Sequence, residues 1–236
     1  MKTYLLIILL TPILVCRAQH DSLNTARNCL YMAAKEREMI YEINRLRNDP
    51  KSYLVYIMPL LKEARERLKT DGPGYKNYSV TYTGNPGETP VTDTTWHFVN
   101  EEEVRALTTL VDTLMHLNPL MILKPDKGIY EAAALYANDE QAHNWGLMHV
   151  GSDNSEPWDR IKLHSPSMSF GNENIGAITG SPSARDIVLL LLIDSGIPGY
   201  GHRYNILNAH WTHIACKQSG FKGSSWWLQE FGQRKK

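Results

Sequence analysis

The chain reads as apolar helical stripes separated by short polar punctuation. From residue 24 to 47, Leu30, Ala33, Ala34, Ile40, Ile43 and Leu46 keep the spacing of one buried helix face. Asn48-Asp49-Pro50 ends that stripe. Asp49 before Pro50 predicts the cap of a second helix through Tyr53, Ile57, Leu60, Leu61 and Leu68, with residues 62–69 as its solvated face. Asp71-Gly72-Pro73-Gly74 breaks it. Residues 75–96, rich in Thr, Tyr, Gly and Pro, predict an irregular excursion with a short hairpin around Gly84-Asn85-Pro86-Gly87. Asn100 and Glu103 have capping-box spacing ahead of a helix through Val104, Leu107, Leu110, Val111 and Leu114, stopped by Asn118-Pro119.

The second half is shorter in rhythm. Asp126 opens a helix that reaches His143, with Ile129, Ala132, Ala133, Leu135 and Tyr136 inside. Residues 145–170 read as loop and 169–176 as a short strand. Residues 183–195 read as a helix whose seven consecutive apolar residues, 187–193, predict burial on nearly all sides. A helical turn over 202–207 and two strands, 211–218 and 225–231, complete the chain. There is no internal repeat. The prediction is an α+β fold: a single domain over residues 19–236, opening with N-terminal helices.

Residues 1–18 stand apart. Lys2 precedes an apolar run broken only by Thr11 and Pro12, and Cys16 and Ala18 are small residues at the −3 and −1 positions of a cleavage site. This is the pattern of a secretory signal peptide, with a mature chain starting at Gln19 and located outside the cell or in a periplasm. The run is too short for a comfortable membrane span, so the mature chain is expected to hold no transmembrane segment. The 25 basic and 25 acidic residues cancel, which gives nucleic acid no basic field to bind. Of three cysteines, Cys29 and Cys216 lie beyond the leader, and a pair in an exported chain predicts one disulfide.

P-loop, dinucleotide-glycine, HExxH, GxSxG and CxxC patterns are absent from the sequence. His210 and His213, three apart on an expected strand, would point to opposite faces. His143 reads as a surface or cap residue, and Asp153-Asn154-Ser155 as turn residues. The remaining polar candidates are His149, Glu173, Asp194 and His202, each beside glycines or apolar positions, where an unpartnered polar group is costly.

The order of motifs around them carries a resemblance. Gly171-Asn172-Glu173-Asn174-Ile175-Gly176 is followed by the apolar helix. Gly201-His202-Arg203-Tyr204-Asn205-Ile206-Leu207 comes next, then two strands ending Trp226-Trp227-Leu228-Gln229-Glu230-Phe231-Gly232. Upstream stand Ile43-Asn44 with Arg47, then Asn118-Pro119-Leu120, Ala132-Ala133 and His149. This series resembles the CAP superfamily of cysteine-rich secretory proteins, antigen 5 and pathogenesis-related 1 proteins, whose domain is also called SCP, in its bacterial form. The likeness extends from Met39 to Gln233 with an insertion around residues 53–115. Asn172 stands where the family's motif has Gly.

The resemblance implies a three-layer α–β–α sandwich whose concave surface carries two His and two acids and in some members binds zinc. His149 and His202 match the two His and Glu173 the motif Glu, while Asp194 falls in the helix expected to bring the second acid. Two imidazoles and a carboxylate would suit zinc with one position open, and acid would weaken binding because each imidazole must shed its proton. The alternative is a proton-sharing network with each His held by a carboxylate. The expected function is binding of a ligand, lipid or protein outside the cell. The rivals are a metal-assisted hydrolase using His149, Glu173 and His202, and a structural module without ligand.

Overall fold

A computed structural model describes residues 22–83, 91–143, 148–221 and 224–236. The expected leader, its expected cleavage site and the turn expected at Gly84-Asn85-Pro86-Gly87 lie outside the described residues. Seven α-helices are described: α1 (Ala34–Asn48), α2 (Leu54–Asp71), α3 (Val99–His116), α4 (Lys127–His143), α5 (Pro157–His164), α6 (Ala184–Ile193) and α7 (Gly201–Leu207). The strands are β1 (Lys76–Thr83), β2 (Val91–Phe98), β3 (Lys124–Pro125), β4 (Met168–Thr179), β5 (His213–Phe221) and β6 (Ser224–Arg234).

Several boundaries follow the expected chemistry. Asp49 accepts from the Ser52 amide and Pro50 opens a 3-10 turn that leads into α2. Asp126 accepts from the Ile129 amide at the start of α4, and Ser183 with Asp186 forms a capping box at α6. Other boundaries differ. The first helix starts at Ala34, and the chain before it runs mostly in turns tied back to the body, with the Asn44 amide donating to Leu23 O and Leu123 O. Asn100 does not cap α3: its side chain donates to Gly72 O, and Glu103 pairs with Arg67. The expected irregular excursion is a regular antiparallel ribbon of two eight-residue strands, since its Thr and Tyr residues suit extended backbone. The expected loop over 145–170 contains α5, started by Glu156-Pro157 with Asp159 answering the Glu156 amide. In α6, Leu190 stays substantially exposed, so the apolar run is not buried all round.

The main sheet has the order β3-β5-β6-β4, parallel between β3 and β5 and antiparallel elsewhere. Alternation along the strands assigns its two faces. Asn174 and Gly176 of β4 look toward α7 and α6; a Cβ on Gly176 would press on Leu191. Glu173 and Ile175 look the other way, toward α5 and α4. Helices α1, α6 and α7 thus cover one face and α4 and α5 the other, which makes the α+β fold a three-layer α–β–α sandwich. The β1–β2 ribbon and α2 and α3 attach beside it, within the stretch expected as an insertion.

The expected Cys29–Cys216 disulfide is not formed; both are free thiols. Cys216 points from β5 into the fully buried core, where desolvation pushes its thiol well up. Cys29 sits in the N-terminal turns and hydrogen-bonds the Tyr31 hydroxyl. Both touch the same apolar cluster without pairing.

Candidate functional site

His149 lies on the segment between α4 and α5. Three groups hold that segment: Tyr136 donates to Met148 O, and both Nη atoms of Arg160 donate to His149 O at 3.1 Å. The imidazole Nδ1 then meets Glu173 Oε1 at 2.9 Å. Glu173 Oε2 accepts from Arg160 Nη2 at 3.2 Å, and the guanidinium lies 4.1 Å from the Tyr136 ring centre. The His149 side chain is 47% exposed, whereas Arg160 and Glu173 are buried. Asn172 sits within β4, where its Oδ1 accepts from the Glu173 amide, and its backbone makes no turn.

His202 belongs to a second pair. The chain leaves α6 through Asp194, which adopts left-handed φ 57°. This conformation is tolerated by Asp better than by most residues. Its Oδ1 meets His202 Nδ1 at 2.7 Å, and Oδ2 accepts from the backbone amides of His202 and Arg203 at 2.9 and 3.4 Å. Asp194 therefore caps α7 and orients its histidine. Arg203 locks the junction by donating to Leu192 O, Ile193 O and Ala106 O. Amides connect the two pairs: Asn174 donates to His202 O, while Asn205 donates to Glu173 O and Asn174 Oδ1.

The four expected side chains thus form two carboxylate–imidazole pairs. Each imidazole spends Nδ1 on an acid, so in the neutral ring Nδ1 carries the proton and Nε2 is left as acceptor. Of the expected zinc ligands His149, His202 and Glu173, Glu173 has both oxygens engaged, by His149 and Arg160. Among the described residues no three His, Cys, Asp or Glu side chains converge as a metal site. His213 is buried in β5 beside Thr212, and His210 is exposed in the preceding turn.

His149 borders an open cleft of about 600 Å³ between the β1–β2 ribbon and the α6–α7 connection. Asn77, Ser79 and His97 line the ribbon side, and Ile197 and Pro198 the other; His202 is not among the lining residues. Ser79 donates to Gly196 O and fastens the ribbon across the cleft. A second cleft of about 410 Å³ shares Ser79, His97 and Gly196 and ends at Glu102 and Arg105.

Sequence reasoning missed two acids of this site. Glu230 is fully buried on β6, in register with Glu173. Glu140 is buried on α4 one turn beyond Tyr136. Burial pushes both carboxyls up, Glu140 to about 7, and the Glu173 charge pushes in the same direction. The signal was in the sequence: Glu230 shares its strand face with Trp226 and Leu228, and Glu140 shares a helix face with Ala133, Tyr136 and Ala137. Arg160, the cation of the cluster, stands on the helix that was read as loop.

No known protein family matches the sequence, and no curated protein does. Among solved structures, an outer surface protein from Borrelia burgdorferi is similar at 19% identity and a TM-score of 0.40, over 57% of this chain and 95% of that one. An extracellular protein containing an SCP domain from Bacillus anthracis str. Ames is similar at 17% identity and a TM-score of 0.37, over 60% of this chain and 47% of that one. Likenesses this distant decide nothing about the site. Among the described residues no helix is long and apolar enough to cross a membrane.

Proposed function

We propose that the chain is an exported protein of CAP type that binds a ligand in the cleft beside His149. The carrying observation is the His149–Glu173 pair: the acid fixes the ring from inside while nearly half of the imidazole faces the cleft. A histidine needed only for packing has no reason to be held at a cleft wall with Nε2 unengaged. Export is supported by the leader pattern of residues 1–18. The CAP reading is supported by motif order along the chain and by the α–β–α layering. Ligands with hydroxyl, amide or phosphoryl groups suit the cleft, because Asn77, Ser79 and His97 supply neutral donors and acceptors around an imidazole.

The test is a titration of the mature protein, observed by backbone and imidazole NMR, with four probes: phosphatidylglycerol vesicles, phosphatidylcholine vesicles, chitotetraose and a casein digest. The expected result is that one probe moves the signals of His149 and residues 195–198, and that His149→Ala abolishes the shift while the fold persists. Signals at the cleft that ignore all four probes, or shifts that survive His149→Ala, would overturn the binding reading. An accompanying assay for hydrolysis of the probes addresses the enzyme rival, for which Glu173→Gln should remove turnover from a folded protein.

A further inference from the structure

The inside of the His149 pair carries more acid than a passive support needs. Three carboxyl groups, Glu140, Glu173 and Glu230, are buried on the α4–α5 face of the sheet. Arg160 is the cation they share; its two Nη atoms are committed to Glu173 and to carbonyl groups, and its buried Nε reaches none of the three acids. Neither Glu230 oxygen has a donor, and one Glu140 oxygen has none. The charged side chains facing Glu230 are Glu173 on β4 and Arg160 on α5; Glu140 and Tyr136 on α4 and His149 on the connecting segment act on Glu173, and the β5 residue in register with Glu230 is Ala215, which carries no charge. Two ionised carboxylates cannot hydrogen-bond each other, and an ion without a donor in a dry interior is costly. A protonated carboxyl relieves both problems, because it loses its charge and gains a donor for the partner it faces.

We propose that Glu230 is a positioning residue of the His149 site, a buried carboxylic acid that keeps its proton and donates a hydrogen bond to Glu173, with Glu140 as a second buried acid of the same cluster. No proton is transferred: it stays on Glu230, and Glu173 accepts the hydrogen bond. In this arrangement Glu173 is held from three sides, by Arg160, by Glu230 and by the imidazole. Glu140 loses its proton near neutrality, which adds a negative charge beside the pair and pulls on the His149 ring. Ligand affinity at the cleft should therefore change across neutral pH even for an uncharged ligand. This last consequence rests on the binding reading above, whereas the proton on Glu230 does not.

The experiment uses the mature protein labelled with carbon-13 at the glutamate carboxyls and titrated without ligand. One glutamate signal is expected to keep the shift of a protonated acid at pH 7 and to vanish in Glu230→Gln. A second should titrate near neutrality and vanish in Glu140→Gln. Glu230→Gln retains a donor and should leave the His149 ring signals in place, whereas Glu230→Val removes it and should move them. If every glutamate carboxyl is ionised by pH 6, the proposal fails. It also fails if Glu230→Val, folded, leaves the Glu173 and His149 signals unchanged. If Glu230→Val does not fold, the wild-type carboxyl titration decides alone. No ligand enters any of these measurements, so failure of the binding reading leaves their outcome untouched.

Discussion

The two histidine pairs look alike in outline and differ in what stands behind them. Asp194 is satisfied mainly by backbone: two amides of α7 and one imidazole occupy its oxygens, and its left-handed backbone is the bend that ends α6. Removing the imidazole would leave Asp194 still capping α7. Glu173 instead stands in a crowd of buried side chains, with another acid in register, a third on the facing helix and one arginine among them. The first pair is a structural junction that happens to carry a histidine. The second is held together by charges and protons and faces an open cleft, so it is the one that pH or a ligand can adjust.

Predictions follow that contrast from the largest effect down. Arg160→Met removes the arginine of the acid cluster and leaves three acids to settle among themselves; a loss of about 3–5 kcal/mol in denaturant unfolding at pH 7 is expected. A loss no larger than about 1 kcal/mol would mean that the acids are already neutral without it. Next comes pH. Glu140 is raised from 4.5 to about 7 in the folded chain, so the folded state holds the extra proton between those values. Stability from this group is therefore complete below about pH 4.5, falls as pH rises toward 7, and is level above. At about 1.4 kcal/mol per unit, Glu140→Gln should gain about 3 kcal/mol on wild type between pH 4 and pH 8, as read from paired unfolding curves. Parallel curves would remove Glu140 from the acid cluster.

Asp194→Ala should cost about 1–3 kcal/mol, because two amides and an imidazole lose their acceptor together. Asp194→Asn should recover most of that, since Asn also tolerates the left-handed conformation and can still accept from the amides. Thermal unfolding of the two variants gives the order. Smallest of all is the histidine comparison. His149→Ala, half-exposed, should change stability by well under 1 kcal/mol, and His202→Ala by about 1 kcal/mol. The reverse order would make His149 the structural histidine and His202 the free one.

How much of this was legible in the chain differs by kind of signal. The helix stripes, the Asp49-Pro50 start ahead of α2 and the two C-terminal strands are periodic or chemical patterns confined to a few neighbouring residues, and they are readable one at a time. His149, Glu173, Asp194 and His202 stood out because glycine and apolar neighbours made a polar residue conspicuous. What joins them could not be read that way: the pairing of Glu173 with Glu230 depends on strand register across 57 positions. Arg160 hid in a stretch whose Gly, Ser and Pro residues outvoted one short helix. Glu230 was visible as an acid on a strand face with Trp226 and Leu228, inside the stretch 226–232, whose value lay in the motif order and not in any one residue. The disulfide expectation weighed cysteine number and compartment alone, and neither says whether two thiols meet.

The account turns on both imidazoles being held through Nδ1, with Nε2 facing outward. Long-range proton–nitrogen-15 correlation of the imidazole rings at pH 8 reads this directly. The predicted result is that His149 and His202 both show the Nδ1–H tautomer, with Nε2 carrying the shift of an unprotonated nitrogen, and that Glu173→Ala releases His149 to a tautomer mixture while His202 stays fixed. An Nε2–H tautomer for His149 in the wild-type protein would contradict it, since the Glu173 contact would then be gone and the cleft would hold a donor where an acceptor is required.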